Sequence, residues 1–513
     1  MSRSPQTFLR KIVRWFDTLA VRARTTLGLR DYAPGLLSIV VPACNVERHI
    51  DDCLRSIRGQ NYRSIEILVV NDDSTDNTTR IARAHARKDP RVRVLGRGPG
   101  GVGAARNNGI AAAHGEFLTV IDADNVVSPG GYESALAALQ LSGSDFCVLL
   151  YDRLVKGRRR PAAAPVRKAH QDRLLHCTLD GYPQIQVNSF ASAKVYRRRF
   201  WDRADLSYPD AAPFEDQSVS AAAFALCSHF DVLPKVGVSW RVQDDQASTS
   251  SQERPSRDLH TQIIANRRSF SALEHGGKSE ASMHYAIQRA NFELDYFLRQ
   301  LLDSNQEYWD LLRTLVDELR EHIDEASFVE SVKVQVKVLC DLVTRDRRAD
   351  AEKYLRAWGR TVERSRTTVV ESGVACALPI DDSAGVPPSY FLLSGDQLAP
   401  QASILRARWT SAYEIVIDGW AYIRNIDLAE NPTTVSLRLR DADGHPQELV
   451  CEPLEHQQID EFSKHHYCDY RPGGFRARLD VRGLLHRGPW RFEAAIETAG
   501  FQRTALLNAT TGT

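Results

Sequence analysis

Between Leu36 and Asp145 the apolar residues fall in short solid runs, each cut off abruptly by polar ones. Leu37–Pro42, Ile65–Val70 and Glu116–Ile121 are rich in Ile, Val and Leu; they close on Asn45, on Asn71-Asp-Asp-Ser-Thr-Asp76 and on Asp122-Ala-Asp-Asn125. Runs that do not alternate read as strands covered on both faces. Candidate strands at 37–42, 65–70, 92–95, 116–121 and 145–150 alternate with helical patterns at 47–58, 75–88, 102–113 and 131–141. Such alternation predicts a parallel sheet with helices on both sides. Ligands of open α/β sheets lie beyond the carboxyl ends of the strands, so three ends tipped with Asn and Asp predict one acidic crevice. It suits a nucleotide and a divalent metal.

Farther on, the basic, Ala- and Pro-rich residues 155–170 read as a mobile loop, 185–197 as containing a strand, 215–227 as a helix and 230–242 as paired strands. Residues 258–365 switch to stripes at spacings of three and four, such as Trp309, Leu312, Val316, Leu319 and Ile323, which predict amphipathic helices. Val332–Val338 alternates like a strand but also fits a helix, and its neighbours favour helix. Residues 366–402, with Pro379, Pro387 and Pro388, read as a linker. From 403 to 513, strands at 413–422, 434–440, 447–451, 475–480 and 489–496, with turns at Asp443-Gly444 and Pro472-Gly473-Gly474, predict a small immunoglobulin-like β-sandwich. Residues 1–35 form a basic segment. On a helix, Phe8, Ile12, Trp15, Phe16 and Leu19 share a face opposite Arg10, Lys11, Arg14 and Arg22. Such a helix either lies in an anionic membrane interface or packs on the body of the protein, and both readings stand.

A chain of 513 residues exceeds a single core. Lys and Arg number 66 against 65 Asp and Glu, a balance that argues against nucleic acid as partner. Nine dispersed Cys without C-x-x-C pairs read as reduced thiols in a cytosolic protein. No apolar run approaches the roughly 20 residues of a membrane span, and no signal-peptide core stands at the N-terminus. The expectation is a cytoplasmic protein, with peripheral contact at the inner face of the membrane as one reading of residues 1–35.

Asp122 and Asp124, in a turn after a buried strand, can hold a hard cation and the ribose of a nucleotide. A lone D-x-D is weak, and its place after Glu116–Ile121 is what raises it. In Asn71–Asp76, Ser74 or Thr75 would cap the following helix, leaving Asp72 to face a base or ribose. Gly96, Gly98 and Gly101 satisfy G-x-G-x-x-G, but after the third strand and with Pro99 inside, which disfavours a hydride-transfer site. The glycines read instead as backbone near a diphosphate, with the Arg106 guanidinium pointing into the acidic site. Glu215-Asp216 opens a helix, where acidic residues are ordinary dipole partners. Facing other carboxylates, one of them could serve as general base with a raised pKa.

Taken together, Val41-Pro-Ala-Cys-Asn45, Asn71-Asp-Asp-Ser-Thr-Asp76, Ala105-Arg-Asn-Asn-Gly109, Asp122-Ala-Asp124 and Glu215-Asp216 resemble the family 2 glycosyltransferases of GT-A fold. Lys194-Val-Tyr-Arg-Arg198, Trp240-Arg-Val and Ala247-Ser-Thr249 look like that family's continuation, so the resemblance covers about 36–250. It implies an α/β nucleotide-sugar domain over 36–257 and inverting transfer from a nucleotide sugar, most often UDP-linked, with Mn²⁺ or Mg²⁺. It places Pro42 and Asn45 at the base, Asp72 at the uracil or ribose, Asp122 at the ribose, Asp124 at the metal, Asp216 as base and Glu215 beside it. Arg106 and the metal would meet the charge on the leaving diphosphate. Cys44 departs from a common Tyr, Asp73 from a common Gly and Asn125 from a common Asp. The layout of catalytic domain, helical segment and β-module is similar to that of wall teichoic acid glycosyltransferases, implying a glycan or polyol-phosphate acceptor and a β-module for acceptor contact or self-association into a homo-oligomer. Trp409, Trp420 and Tyr422 could stack on sugars or belong to a core. Two other readings stay open: a capsular or exopolysaccharide transferase on a lipid-linked acceptor, and a catalytically silent glycan-binding module.

Overall fold

The computed structural model describes residues 32–97, 100–209, 214–242, 254–357, 365–380, 384–440, 446–456, 459, 463, 465–482 and 491–509. The basic N-terminal segment up to Asp31, Gly98 and Pro99, Ala247-Ser-Thr249 and Asp443-Gly444 lie outside them. The chain divides into two compact units, one built from residues up to 251 with 260–285, the other from 252–259 with 286–513.

The first unit follows the predicted alternation: β1 (Ala33–Ala43), α1 (Ile50–Arg58), β2 (Ile65–Asp72), α2 (Thr78–Lys88), β3 (Val92–Arg97), α3 (Gly101–Ala111) and β4 (Gly115–Val120). Then come β5 (Val126–Val127), α4 (Gly131–Ser142), β6 (Phe146–Val155), β7 (Arg158–Pro161), α5 (Ala164–Lys168), β8 (Leu174–Cys177), β9 (Lys194–Arg197), α6 (Arg198–Arg203), α7 (Glu215–Leu226) and β10 (Phe230–Arg241). Spatial order is β3-β2-β1-β4-β9-β6-β10-β5. The β3-β2-β1-β4 half is parallel, as expected, and β6 is parallel to β10. Between them β9 runs antiparallel to both β4 and β6, so the sheet is mixed rather than wholly parallel. Leu37, Ile39, Val41, Ile67 and Val69 are fully buried on one face, and Val40, Leu68 and Val70 on the other, which is why these strands do not alternate.

Two further expectations are corrected. Residues 155–170 are ordered as a β6–β7 hairpin and α5, with Lys156 and Gly157 both at positive φ in the turn, the geometry two-residue hairpins favour. The Arg run of β7 is exposed throughout and so carried no apolar strand signal. Residues 230–241 form one strand rather than two; exposed Pro234 and Lys235 mimic a turn, but they sit at a shift of the β6–β10 register.

Helix α3 is unusually rich in small residues because it lies directly on β1 and β2. A Cβ on Gly109 would stand 2.3 Å from Val40 Cγ1 and 3.0 Å from Val70 Cγ2, and one on Gly103 would stand 2.1 Å from the Pro209 carbonyl oxygen. Residues 260–285, from α8 (Arg254–His275) and α9 (Ser279–Arg289), complete this unit; the Gln186 amide donates to the Ala281 carbonyl at 3.0 Å and Gln262 to Gln217 at 2.8 Å.

In the second unit, α10 (Gln306–Glu321), α11 (Glu325–Ser331), α12 (Val334–Thr344) and α13 (Arg348–Ala357) bury the predicted stripes, and the ambiguous valines are helical from Val334 onward. The residues expected as a linker hold a hairpin of β11 (Thr367–Val370) and β12 (Gly373–Cys376) with Val374 and Cys376 buried. Buried Lys337 donates from Nζ to the carbonyls of Val329 at 2.6 Å and Leu392 at 2.7 Å, tying this stretch to the helices. The C-terminal β-region joins β13 (Pro400–Trp409), β14 (Glu414–Ile423), β15 (Thr433–Arg440), β16 (Pro446–Leu454), β17 (Gly474–Asp480), β18 (Arg491–Thr498), β19 (Phe501–Leu506) and β20 (Asn508–Ala509). Their order, β19-β18-β15-β16-β17-β14-β13-β20, is antiparallel but for the short β13–β20 pairing. Tyr422 stacks between Trp420 and Tyr470 in a local core, whereas Trp409 is exposed. Among the described residues no helix is long and apolar enough to cross a membrane.

Helix propensity alone makes Gly109→Ala stabilising by about 1 kcal/mol. Overlap with rigid Val40 costs about 1–3 kcal/mol, so a net lower Tm is expected; a Tm at or above that of the parent would refute the close packing of α3.

Candidate active site

The parallel strands β1, β2 and β4 end on one edge, and the polar residues predicted to tip them meet there. Pro42 is buried near the end of β1, and Asn45, two residues past that strand, stands exposed at φ +50°. Its side-chain oxygen accepts the Thr75 N–H at 2.9 Å, and its own N–H donates to Ser74 Oγ at 3.2 Å. Ser74 and Thr75 thus tie two loops together instead of capping α2, where the Thr78 N–H is taken by Asp76 at 2.9 Å. Asp73 has φ +54°, a left-handed conformation that glycine adopts freely and Asp tolerates better than most residues. Asp72 accepts the Gly100 N–H at 3.1 Å, anchoring the backbone at the start of α3.

Beyond β4 the side chains of Asp122 and Asp124 are both half-buried. Asn125 is fully buried; its oxygen accepts the Arg241 N–H at 3.0 Å, and Arg241 Nε donates to the Asp124 carbonyl at 2.8 Å. Asn125 Nδ2 also donates to Asp122 Oδ2 at 3.4 Å, a contact that an ionised Asp at this position could not make. Among the described residues no group of three or more His, Cys, Asp or Glu side chains converges as a metal cage. A Mg²⁺-type cation asks for less, one or two carboxylates with the remaining oxygens from water and substrate phosphates. Asp124 beside Asp122 meets that requirement.

The centre of the site is Arg106. Its guanidinium is 3% exposed and donates to Asp122 at 2.7 Å, Asp216 at 2.8 Å and Glu215 at 2.5 Å. The plane lies 4.8 Å from the Tyr208 ring centre. Tyr208 is held in turn by Asn107, which exchanges side-chain hydrogen bonds with its N–H at 2.9 Å and its carbonyl at 2.7 Å. Arg106 thus faces acidic side chains, and three carboxylates occupy its guanidinium. Glu215 and Asp216 begin α7 after Phe214, a non-glycine residue at φ +61° whose strained backbone turns them inward. Asp216 also accepts the Ala191 N–H at 3.0 Å. Burial raises the proton affinity of both carboxyls above the ordinary carboxylate range, even though Arg106 pulls the other way.

Several contributors left little trace in the sequence. Ser192 accepts the Asp122 N–H at 3.3 Å, and the Ala191 N–H and the Tyr208 ring reach the site from loops. A backbone donor carries no residue signature, and Tyr208 stands in no periodic pattern.

Residues 38–197 match the family described as Glycosyl transferase family 2 and form a domain of that kind. Among curated proteins, glycosyltransferase GlyG of Streptococcus pneumoniae is 38% identical over 114 residues, 22% of this chain and 38% of that protein. Poly(ribitol-phosphate) β-N-acetylglucosaminyltransferase TarS of Staphylococcus aureus is 24% identical over 298 residues, 56% of this chain and 50% of that protein. The chain spans about half the length of the curated relatives it matches. The crystal structure of S. aureus TarS superposes with TM-score 0.55 at 18% identity, covering 92% of this chain and 77% of that one. Its 1–349 fragment with UDP-GlcNAc gives 0.53 at 20% identity, covering 67% and 97%. These two likenesses establish a shared fold.

Arg106→Met would leave three partly buried carboxylates without their cation, a loss of at most about 3–5 kcal/mol near neutral pH. The folded pKa values of Glu215 and Asp216, already raised by burial, would rise further, so the deficit should shrink as pH falls and they protonate, and grow as pH rises. Denaturation of parent and variant at pH 5 and pH 7.5 checks this; a deficit independent of pH would contradict it.

Proposed function

We propose that this domain is a metal-assisted, inverting glycosyltransferase that moves a sugar from a nucleoside diphosphate, UDP in the first instance, to a hydroxyl of a cell-envelope glycan or teichoic-type polymer. The observation that carries the reading is the joining of Asp122, Glu215 and Asp216 through one buried guanidinium, at the edge where β1, β2 and β4 end. Pro42, Asn45 and Asp72 line the base and ribose end, and Asp122 meets the ribose. Asp124 would hold a Mn²⁺ or Mg²⁺, and that cation would supply positive charge for the leaving group.

Asp216 acts as general base. It takes the proton of the acceptor hydroxyl as that oxygen attacks the anomeric carbon opposite the diphosphate, which inverts the centre. Its side chain keeps 20% exposure, enough for an acceptor to reach it. Burial raises its proton affinity, bringing the base closer to the operating pH, where general-base catalysis is most effective. Arg106 serves this base by keeping Asp122, Glu215 and Asp216 together, and Glu215 completes the pairing or holds the acceptor.

The acceptor class is suggested by the name of the TarS relative, and the exposed arginines of β7 offer cationic contact for a polyanion. The C-terminal β-region is read as an immunoglobulin-like module for acceptor contact or self-association, and the chain as cytoplasmic, peripheral to the inner membrane face.

Asp216→Asn should lower transfer by about 10²–10⁴-fold while keeping donor binding. Because the base must be ionised, the parent rate should fall as pH drops through a pKa above the ordinary aspartate value; a flat acid limb would count against Asp216. UDP with Mn²⁺ at 100-fold over its Kd should add about 2.7 kcal/mol of stability. Thermal shifts with UDP, GDP and CDP, with metal or chelator, should show this for the parent and not for Asp124→Ala. No shift with any nucleotide would overturn the transferase reading.

A further inference from the structure

We infer that Lys194 is a positioning residue for the transfer, its ammonium clamping the 188–192 segment so that this segment meets Asp216 and Asp122. The inference rests on the reading of Asp216 as the base. Lys194 is fully buried at the start of β9. Its Nζ donates to the carbonyls of Asn188 at 2.8 Å and Phe190 at 3.1 Å and lies 6.0 Å from the Phe224 ring centre. Its own carbonyl accepts the Thr119 hydroxyl of β4 at 2.7 Å. The segment it grips supplies the Ala191 N–H to Asp216 and Ser192 Oγ to the Asp122 N–H. One clamp therefore bears on two of the three acidic residues gathered by Arg106, on Asp216 at its carboxylate and on Asp122 at its backbone N–H.

A buried ammonium is costly unless its charge is used. Burial pushes Lys194 down to about 7, with Asp216 acting in the opposite direction. The titratable and charged groups around it are Asp216 on α7, with Arg106 behind that carboxylate, and His170. His170 accepts from Asn188 Nδ2 at 2.9 Å while its Nδ1 meets the Leu233 carbonyl at 2.9 Å. That pattern requires a neutral imidazole, and burial holds His170 down at about 4. Lys194 is thus the second cation near Asp216, and its positive charge favours the ionised base.

The test compares Lys194→Met and Lys194→Arg in the full chain. Lys194→Met should lower kcat by about 10-fold or more through lost positioning and raise the acid limb of the pH–kcat profile by about 1 unit. Amide exchange over residues 188–193 should accelerate. Lys194→Arg, which keeps the charge, should leave the limb where the parent has it. An unmoved limb in Lys194→Met, or the same upward shift in Lys194→Arg, would overturn the inference. Should Lys194→Met fail to fold, the limb of Lys194→Arg decides. The Asp216 carboxyl titration, read by infrared difference against Asp216→Asn, reports the same shift without turnover. A parent with no transferase activity would thus count against the functional reading, while the infrared midpoints still decide the role of Lys194.

Discussion

One buried guanidinium against three carboxylates is the constraint from which the rest of the first unit follows. Two unit charges 4 Å apart interact by about 4 kcal/mol at the effective dielectric of a partly buried site. Gathering Asp122, Glu215 and Asp216 side by side is unfavourable without a cation among them. They come from the end of β4 and the first turn of α7, segments far apart in the chain, and Arg106 on α3 reaches both. The helix can reach them because it is seated low on the sheet. Gly109 presses on Val40 and Val70, Gly103 on the Pro209 carbonyl, and Ala104 and Ala105 are buried between. Larger side chains would lift the helix and with it the guanidinium.

The loops around this centre are held by backbone geometry as much as by side chains. Asn45, Asp73 and Phe214 all adopt positive φ, and each stands where the chain turns from a strand end or loop toward the site. Left-handed backbone costs a non-glycine residue roughly 1–2 kcal/mol, so surrounding bonds must hold it. For Asn45 these are visible in its exchange with Ser74 and Thr75. At residue 73 the φ gives the reason glycine is common in this motif and shows what Asp73 must tolerate.

The parallel half of the sheet and the acidic edge were legible because both depend on local pattern. Solid apolar runs mark doubly covered strands, and the polar residues just after them must lie at the strand ends. Arg106 was legible as a cation aimed at carboxylates, but not as the partner of three, since that number depends on how α7 docks. A strand was legible within 185–197, but the antiparallel direction of β9 was not, because it is four residues long and follows a single 3₁₀ turn rather than a crossover helix. The β7 strand escaped because Arg158, Arg159 and Arg160 give no burial signal, and the Pro234 shift in β10 imitated a turn. Ala191 acts through its N–H, which any residue but proline would supply.

The place of β9 in the sheet also bears on biosynthesis. Strands β1 to β4 are complete by Val120, yet the outer edge of β4 waits for Tyr196 and Arg197 to pair with Leu118 and Phe117. Until some seventy-five further residues leave the ribosome, the nascent chain carries four paired strands with an open, apolar margin. Uncovered margins of that kind recruit other chains. The strand that carries Lys194 is therefore also the one that covers the outer edge of β4, and a product terminated before it would keep that edge unpaired.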